Sequence, residues 1–152
     1  MTIQKSMVLI LCTGNSCRSQ MAEGFLRKYH GNKYEVASAG TAPSPEVHPL
    51  AVEVMSELGI DISGQKPKEL TGFLGKAPVR HLLIVCDKAN GTCPRIWPGA
   101  YTRDYAPFDD PAEAVGTDTE VLAVFRRVRD EIGRSMRSWA PRHPMLENAA
   151  VR

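Results

Sequence analysis

The sequence predicts a three-layer α/β domain with a mostly parallel sheet, and three observations lead to this fold class. Short apolar runs alternate along the chain with segments whose apolar residues recur at helical spacing. The first run, residues 7–11, is apolar throughout, as expected for a parallel strand covered on both faces. Two of the runs are followed by a cysteine, Cys12 and Cys86, and strand ends are where such sheets place their ligands.

The first half of the chain predicts two strands and two helices. The strands cover residues 7–11 and 34–39, and the helices cover 19–30 and 49–58, the second ended by Gly59. The side chains predicted to face the core from these helices are Met21, Ala22, Phe25, Leu26 and Tyr29 in the first, and Ala51, Val54, Met55 and Leu58 in the second.

The second half predicts a short helix near 68–74, a strand over 82–85, a loop over 87–101 rich in proline and glycine, and a brief strand near 102–105. The last helix begins near Thr117 with a capping-box pattern. Its predicted core residues are Val121, Phe125, Val128 and Ile132. Its arginines are predicted mostly on other faces, either solvated or in contact with an acidic partner: Arg126, Arg127, Arg129, Arg134 and Arg137.

Length and composition suit one domain over residues 1–152, with a loosely held tail from about residue 140. The 19 basic and 17 acidic side chains leave a net charge of +2, which gives no reason to expect nucleic-acid or membrane binding. No apolar run approaches the roughly 18 residues of a membrane span, and no secretory signal is recognised. Four cysteines are too few for a secreted disulfide scaffold, so we expect a cytoplasmic protein. We also expect it to be a monomer.

The stretch from Cys12 to Ser19 has the composition of an oxyanion-binding loop. It follows a predicted strand and precedes a predicted helix, so its N–H groups can converge with the positive helix end on one anion. Gly14 supplies backbone freedom, and Asn15 tolerates a left-handed conformation. The residues predicted to bind the oxyanion are Thr13, Gly14, Asn15, Ser16, Cys17, Arg18 and Ser19.

The same loop contains a nucleophile and a cation. Arg18 offers a planar fork for two oxygens of an anion, and it should favour the thiolate of Cys12, which is the attacking form. Ser19 is expected to cap the helix and to donate to the Cys12 sulfur. The alternative is a buried core cysteine followed by an ordinary capped turn. The order strand, loop, helix favours chemistry on a tetrahedral oxyanion such as phosphate or arsenate.

Two further elements allow more than one interpretation. Cys86 and Cys93 lie at the two ends of a predicted loop. They are either a redox pair or two unrelated cysteines, one at the end of a strand and one incidental to the loop. A zinc site is disfavoured because the chain has no Cys-x2-Cys pair and its histidines are scattered. Asp110, followed by Pro111, can protonate a leaving oxygen or simply cap a turn.

Residues 11–24 closely resemble the loop of thioredoxin-coupled arsenate reductases built on the low-molecular-weight protein tyrosine phosphatase fold. The stretches 38–41, 47–51, 59–63 and 108–111 are similar to the same family, as is the spacing of Cys86 and Cys93. The resemblance covers about residues 7–136. It implies a four-stranded parallel sheet flanked by helices.

The resemblance also implies an activity and the role of each residue in it. Cys12 matches the nucleophile, Arg18 the oxyanion clamp, Asp110 the general acid, and Cys86 and Cys93 the resolving cysteines. Arsenate would be reduced to arsenite through a three-thiol relay, with thioredoxin as the reductant and phosphate as a competitor. Weak phosphatase activity at the same loop is also expected.

No tightly bound cofactor is implied, but some relatives hold a potassium ion near the loop. Asn15, Glu23 and Ser38 match part of that potassium site. A further ligand there is usually Asp, whereas this chain has Glu69. Cys17 matches a loop cysteine that is not required for turnover.

Two other functions remain open from the sequence. A phosphatase would use Cys12 to form a phosphocysteine that water hydrolyses, without redox chemistry. Family phosphatases usually place aromatic residues after the Asp-Pro pair, whereas this chain has Ala112-Glu113-Ala114. The second alternative is a non-enzymatic oxyanion or thiol-redox sensor.

Overall fold

The structure, a computed structural model, describes residues 5–87 and 97–141. Its strands are β1 (Ser6–Cys12), β2 (Tyr34–Gly40), β3 (Val79–Ile84) and β4 (Thr102–Tyr105), and its helices are α1 (Arg18–His30), α2 (Pro49–Ser56) and α3 (Asp118–Arg137). Short 3₁₀ helices cover Leu70–Gly72 and Pro111–Glu113. None of the helices in these ranges is long and apolar enough to cross a membrane.

The four strands form one parallel sheet in the order β2-β1-β3-β4. Leu11 of β1 lies opposite Ala39 of β2 and Ile84 of β3. β1 is therefore an inner strand, which explains why residues 8–11 are fully buried and continuously apolar. The predicted fold class, a four-stranded parallel sheet flanked by helices, is confirmed.

α3 begins and packs as its sequence predicts. The Thr117 hydroxyl accepts a hydrogen bond from the Glu120 N–H, and the Glu120 carboxylate accepts one from the Thr117 N–H. Phe125, Val128 and Ile132 are buried against the rest of the core, whereas Val121 is only partly buried. Full burial of one such side chain contributes about 1.5–3 kcal/mol to stability.

Two side chains predicted to face the core are exposed instead. Leu58 is 43 % exposed because α2 ends at Ser56, so the helical spacing no longer sets its direction. Tyr29 is 37 % exposed in the last turn of α1, where its ring stacks on Phe25 at the edge of the core.

The boundaries of other elements also differ from the prediction. β3 begins at Val79 rather than at residue 82, and the helix predicted near 68–74 is only the 3₁₀ turn Leu70–Gly72. Residues 88–96, which hold most of the predicted loop together with Cys93, lie outside the described residues, as does the tail from residue 142. The single-domain prediction and the monomer stay predictions.

Several arginines of α3 have partners within the chain. Arg126 and Arg129 both pair with Glu57, and their hydrogen bonds, led by that of Arg126, hold the pKa of Glu57 below its ordinary value. Arg129 was predicted on a solvated face but is nearly buried, because it also donates to the Val54 carbonyl. Arg127 pairs with Glu131 and with Asp109. These contacts do not favour the acidic-partner interpretation.

Candidate active site

The loop between β1 and α1 lies at the carboxyl end of the sheet. β1 lies between β2 and β3 in the sheet. The chain first runs from β1 to β2 on one side and then crosses to β3 on the other side, so the direction of the connections reverses at β1. Parallel α/β sheets bind their ligands at such a switch point. The fold therefore places the predicted oxyanion loop where a ligand is expected.

Asn15 gives this loop its curvature. Its φ of 48° is the only positive φ of a non-glycine residue in the described ranges. Its buried side chain donates to the hydroxyls of Ser19 (2.8 Å) and Ser38 (2.9 Å) and accepts from the Lys68 N–H (2.8 Å). These contacts hold a conformation that costs about 1–3 kcal/mol in isolation. The Asn15 side chain therefore supports the loop from behind.

The carbonyl groups of the loop are used by the segment that follows β2. The pairs are Ala42 N–H to Thr13, Ser44 N–H to Gly14, and His48 N–H to Ser16, each with an N···O distance of 2.8 or 2.9 Å. Because C=O and N–H point in opposite directions along a peptide, N–H groups of the loop face its concave side. A Cβ at Gly14 would lie 2.9 Å from the Ser44 hydroxyl, so a larger residue here would require the Ser44 side chain to move.

Ser19 does not cap α1, so that prediction is wrong. The helix begins at Arg18, its cap position is Cys17, and no side chain among residues 17–20 bonds there as a cap. Ser19 is buried within the first turn, where its hydroxyl accepts from the Asn15 amide. α1 thus begins one residue earlier than the predicted residue 19, and its N-terminus faces the loop.

Cys12 and Cys86 lie side by side, as their positions at strand ends suggested. Cys12 ends β1, Cys86 follows β3, and the Val85 N–H donates to the Leu11 carbonyl (3.0 Å) just before them. Cys86 Sγ lies 3.4 Å from the hydroxyl of Thr13, the residue that follows Cys12, and the Cys86 thiol is the largest influence on the pKa of Cys12. Both cysteines are almost completely buried, at 3 % and 1 % exposure. A second thiol, which can be oxidised to a disulfide, therefore lies beside the predicted nucleophile.

The acidity of Cys12 differs from the sequence-based prediction. The hydrogen bond with Cys86 and burial raise the pKa of the Cys12 thiol above its ordinary value, although Arg18 and the Thr13 N–H lower it. Arg18 thus acts in the predicted direction, but its effect is outweighed. The cause is tertiary, because Cys86 is far away in the sequence.

Removing the Cys86 thiol is expected to make Cys12 more acidic. In a Cys86→Ala variant the hydrogen bond that raises the pKa is gone while Arg18 remains, so the thiolate forms at lower pH. The pH dependence of iodoacetamide alkylation at Cys12, followed by peptide mass mapping, should shift to lower pH. A midpoint that stays in place or rises would contradict this assignment.

Arg18 joins the loop to the turn that carries Asp110. One Nη atom donates to the Phe108 carbonyl (3.1 Å), and the other lies 3.5 Å from Asp110 Oδ2. Arg18 Nε is buried and has no hydrogen-bond partner in the described residues. Such a donor fits an oxyanion held at the mouth of the loop.

Asp110 combines the two interpretations that its sequence left open. It caps the 3₁₀ helix Pro111–Glu113 by accepting the Ala112 N–H on Oδ1 (3.0 Å). Its second oxygen faces Arg18. One carboxylate can therefore be held in place by the cap and still present an oxygen toward an anion at Arg18.

The acidity of Cys17 does not set it apart from Cys12. Burial, followed by the negative charge of Asp110, raises the pKa of the Cys17 thiol to about 12 against the opposing effect of Arg18. The pKa of the Cys12 thiol is raised as well. The spare role of Cys17 therefore stays a prediction from the sequence resemblance.

The described geometry coincides with a known family. The family model of the low molecular weight phosphotyrosine protein phosphatase matches residues 7–150. The chain belongs to this family. The matched range includes the whole oxyanion loop, Cys86, Cys93 and Asp110.

Several proteins that are similar to this chain are named as arsenate reductases rather than as phosphatases. An arsenate reductase of Halalkalibacterium halodurans is 47 % identical over 139 residues, covering 91 % of this chain and 97 % of that protein. A solved arsenate reductase in the phosphate binding state has a TM-score of 0.68 at 33 % identity and covers 86 % and 93 % of the two chains. The thioredoxin-dependent arsenate reductase Cg_ArsC1′ of Corynebacterium glutamicum has a TM-score of 0.59 at 31 % identity, with coverages of 90 % and 64 %.

The three predicted potassium ligands come together in this family member, but as arranged they do not fit the ion. The Asn15 carbonyl oxygen accepts from a backbone N–H, and its amide nitrogen faces Ser38. The Ser38 hydroxyl donates to Glu23 Oε1 (2.6 Å). Both carboxylate oxygens of Glu23 also lie near protein cations. A potassium ion needs free oxygens and would be repelled by those cations.

The residue whose side chain reaches Glu23 is Lys68, and Glu69, which the sequence has in place of the usual Asp, does not. Glu69 is exposed and pairs through its main chain with Gly40. Within residues 5–87 and 97–141, no group of three or more His, Cys, Asp or Glu side chains could hold a metal ion.

Two glutamines that the sequence did not single out, Gln20 and Gln65, support the oxyanion loop through hydrogen bonds. The buried Gln20 amide donates to the Asn15 and Lys66 carbonyls at 2.9 and 3.1 Å. Gln65 in turn donates to the Gln20 side chain (2.8 Å). The only sequence signal for this role is the presence of Gln20 two residues after Arg18, in a helix turn that must face the core.

Proposed function

We propose that this chain is an arsenate reductase that converts arsenate to arsenite. The observation that carries the proposal is the buried Cys86 thiol at the base of the oxyanion loop, next to Cys12 on the adjacent strand end and 3.4 Å from the Thr13 hydroxyl. Hydrolysis of a phosphate ester needs one nucleophile, whereas reduction of arsenic needs two electrons from a pair of thiols. Relatives named as arsenate reductases over nearly the same length support the same activity.

The first step is attack on arsenic by the Cys12 sulfur, whose thiol proton passes to an arsenate oxygen because the raised pKa keeps it bound before the substrate arrives. Loop N–H groups and Arg18 hold the arsenate oxygens, and a Cys12–arsenic bond forms. The oxygen that leaves is protonated by Asp110 and departs as water. Asp110 suits this role because its Oδ2 faces Arg18 while its Oδ1 is held by the cap.

The second step reduces arsenic. Cys86 attacks the sulfur of Cys12, the sulfur–arsenic bond breaks, and its electron pair goes to arsenic. Arsenite leaves, and a Cys12–Cys86 disulfide remains. The neighbouring ends of β1 and β3 place the attacking Cys86 sulfur beside Cys12 before the substrate arrives.

The third step regenerates Cys12. Cys93 attacks the Cys86 sulfur, which frees Cys12 and leaves a Cys86–Cys93 disulfide that thioredoxin reduces. The role of Cys93 comes from the sequence resemblance, since this residue lies outside the described ranges. The cytoplasm, where thioredoxin keeps thiols reduced, is the proposed location.

The deciding experiment is arsenate-dependent NADPH consumption in the presence of thioredoxin and thioredoxin reductase. We expect sustained turnover with the parent protein and none with Cys86→Ser. The Cys17→Ser variant serves as the control, because the sequence resemblance gives Cys17 no role in turnover. Arsenite formation that survives Cys86→Ser at the parent rate would contradict the relay.

Weak phosphatase activity is a second candidate, favoured by the family match and by the shared oxyanion loop. It requires Cys12 and Arg18 but not Cys86. Hydrolysis of p-nitrophenyl phosphate should therefore survive in Cys86→Ser, which separates the two activities within one protein. A sensor without catalysis would show neither activity.

Arg18→Lys should weaken anion binding and arsenate reduction together. A point charge cannot replace the planar fork, and loss of one charge-assisted hydrogen bond costs about 1.5–3 kcal/mol, or roughly 10- to 150-fold in affinity. Phosphate binding measured by calorimetry, and phosphate as a competitor of arsenate, provide the readouts. Unchanged phosphate affinity in this variant would mean that the loop backbone alone holds the anion.

A further inference from the structure

Glu23 is a buried carboxylate directly behind the oxyanion loop. Its side chain is only 4 % exposed, and it accepts a hydrogen bond from the Ser38 hydroxyl. A buried carboxylate requires compensating positive charge, because burial removes the water that would otherwise solvate it. The source of that charge decides how the loop is organised.

Two side chains of the protein supply this charge. Arg27 Nη2 lies 2.7 Å from Glu23 Oε2, and Lys68 Nζ lies 3.8 Å from Glu23 Oε1. The Lys68 ammonium is held in place by donating to the Lys66 carbonyl (2.8 Å). Both cations line a cleft of about 480 Å³ next to Glu23.

Lys68 also contacts the loop itself. Its backbone N–H donates to the Asn15 side chain (2.8 Å), and its carbonyl accepts from the Gly40 N–H (2.7 Å). One residue therefore reaches Glu23 through its side chain and Asn15 through its main chain.

We propose that the Lys68 ammonium, together with Arg27, is a built-in cation that organises the oxyanion loop, so that anion binding by this protein does not require potassium. The inference rests on the proposed function only in taking the loop as the anion site. Lys68 is a positioning residue, since it acts on the loop through Glu23 and Asn15.

Two buried hydrogen bonds connect Glu23, the partner of Lys68, to the loop. Glu23 accepts from the Ser38 hydroxyl, and Ser38 accepts from the Asn15 amide. Asn15 carries the positive φ that curves the loop. Without its cation, Glu23 is held less firmly, and the orientation of Asn15 is less well defined.

The first test compares phosphate binding in potassium chloride and in choline chloride at equal ionic strength. The parent protein should have the same dissociation constant and the same thermal unfolding midpoint in both salts. A potassium-dependent gain of fivefold or more in affinity would overturn the proposal.

The second test removes the ammonium but keeps most of the side-chain stem. In choline chloride, Lys68→Met should weaken phosphate binding by about fivefold or more. Potassium should restore part of this affinity and raise the unfolding midpoint, because the ion can then enter the cleft beside Glu23. Lys68→Arg retains the cation and should behave as the parent in both salts.

Lys66→Met is the matched control. It makes the same change in net charge in the same cleft, but Lys66 contributes only its backbone carbonyl to the described contacts. Equal behaviour of Lys68→Met and Lys66→Met in both salts would refute the role of Lys68. Because every readout is phosphate binding or unfolding, a failure here is distinct from a failure of arsenate reduction.

Discussion

Cys12→Ser is expected to reduce thioredoxin-coupled arsenate reduction to the background rate. A serine hydroxyl does not ionise near neutral pH, and it cannot form the Cys12–Cys86 disulfide, whose formation supplies the two electrons that reduce arsenic. The loss should be complete, because every later step uses the Cys12 sulfur. Arsenite production with thioredoxin and its reductase provides the measurement.

The substitution should leave the fold and the anion site in place. Cys12→Ser changes one atom at the end of β1, and the hydrogen bonds that curve the loop come from Asn15 and the segment after β2. Phosphate binding should therefore persist in this variant. Activity comparable to that of the parent protein would remove Cys12 from the mechanism.

Cys93→Ser is expected to complete one reaction and then stop. Cys12 and Cys86 are in contact, so they can reduce one arsenate without further thiols. Without Cys93, the Cys12–Cys86 disulfide cannot be resolved inside the protein. We expect about one arsenite per protein molecule in a single-turnover assay, and a Cys12–Cys86 disulfide in the peptide map.

The Cys86→Ser variant is the control for this trapping experiment. It should release no arsenite and form no disulfide at Cys12, because the attacking sulfur of the second step is absent. Sustained thioredoxin-driven turnover by Cys93→Ser would show that thioredoxin reduces Cys12–Cys86 directly. The three-thiol relay would then be wrong.

The sequence alone was sufficient to predict the parallel sheet, the loop between β1 and α1, and the start of α3. These features depend on local patterns. A continuously apolar run indicates a covered parallel strand. The capping box of α3 needs only Thr117 and Glu120, which lie within one helical turn. The curvature at Asn15 could also be expected, because asparagine tolerates a positive φ.

Side-chain directions at the ends of elements were less predictable. Leu58 continues the helical spacing of α2, yet the helix has already ended at Ser56. Arg129 has the sequence character of a surface residue, but it is drawn inward by the Val54 carbonyl and by Glu57. In both cases the outcome depends on where another segment lies.

Only the tertiary structure decided the chemistry between distant residues. It placed the Cys86 thiol against Cys12, and that contact raises the pKa of the thiol that Arg18 alone would have lowered. It also placed the Lys68 ammonium beside Glu23, where the sequence resemblance implied a potassium ion. The sequence determined which groups are present and which strand or helix carries each one. Their charges and proton affinities depend on through-space distances and burial, which are set only when β1, β3 and the segment around Lys68 pack together.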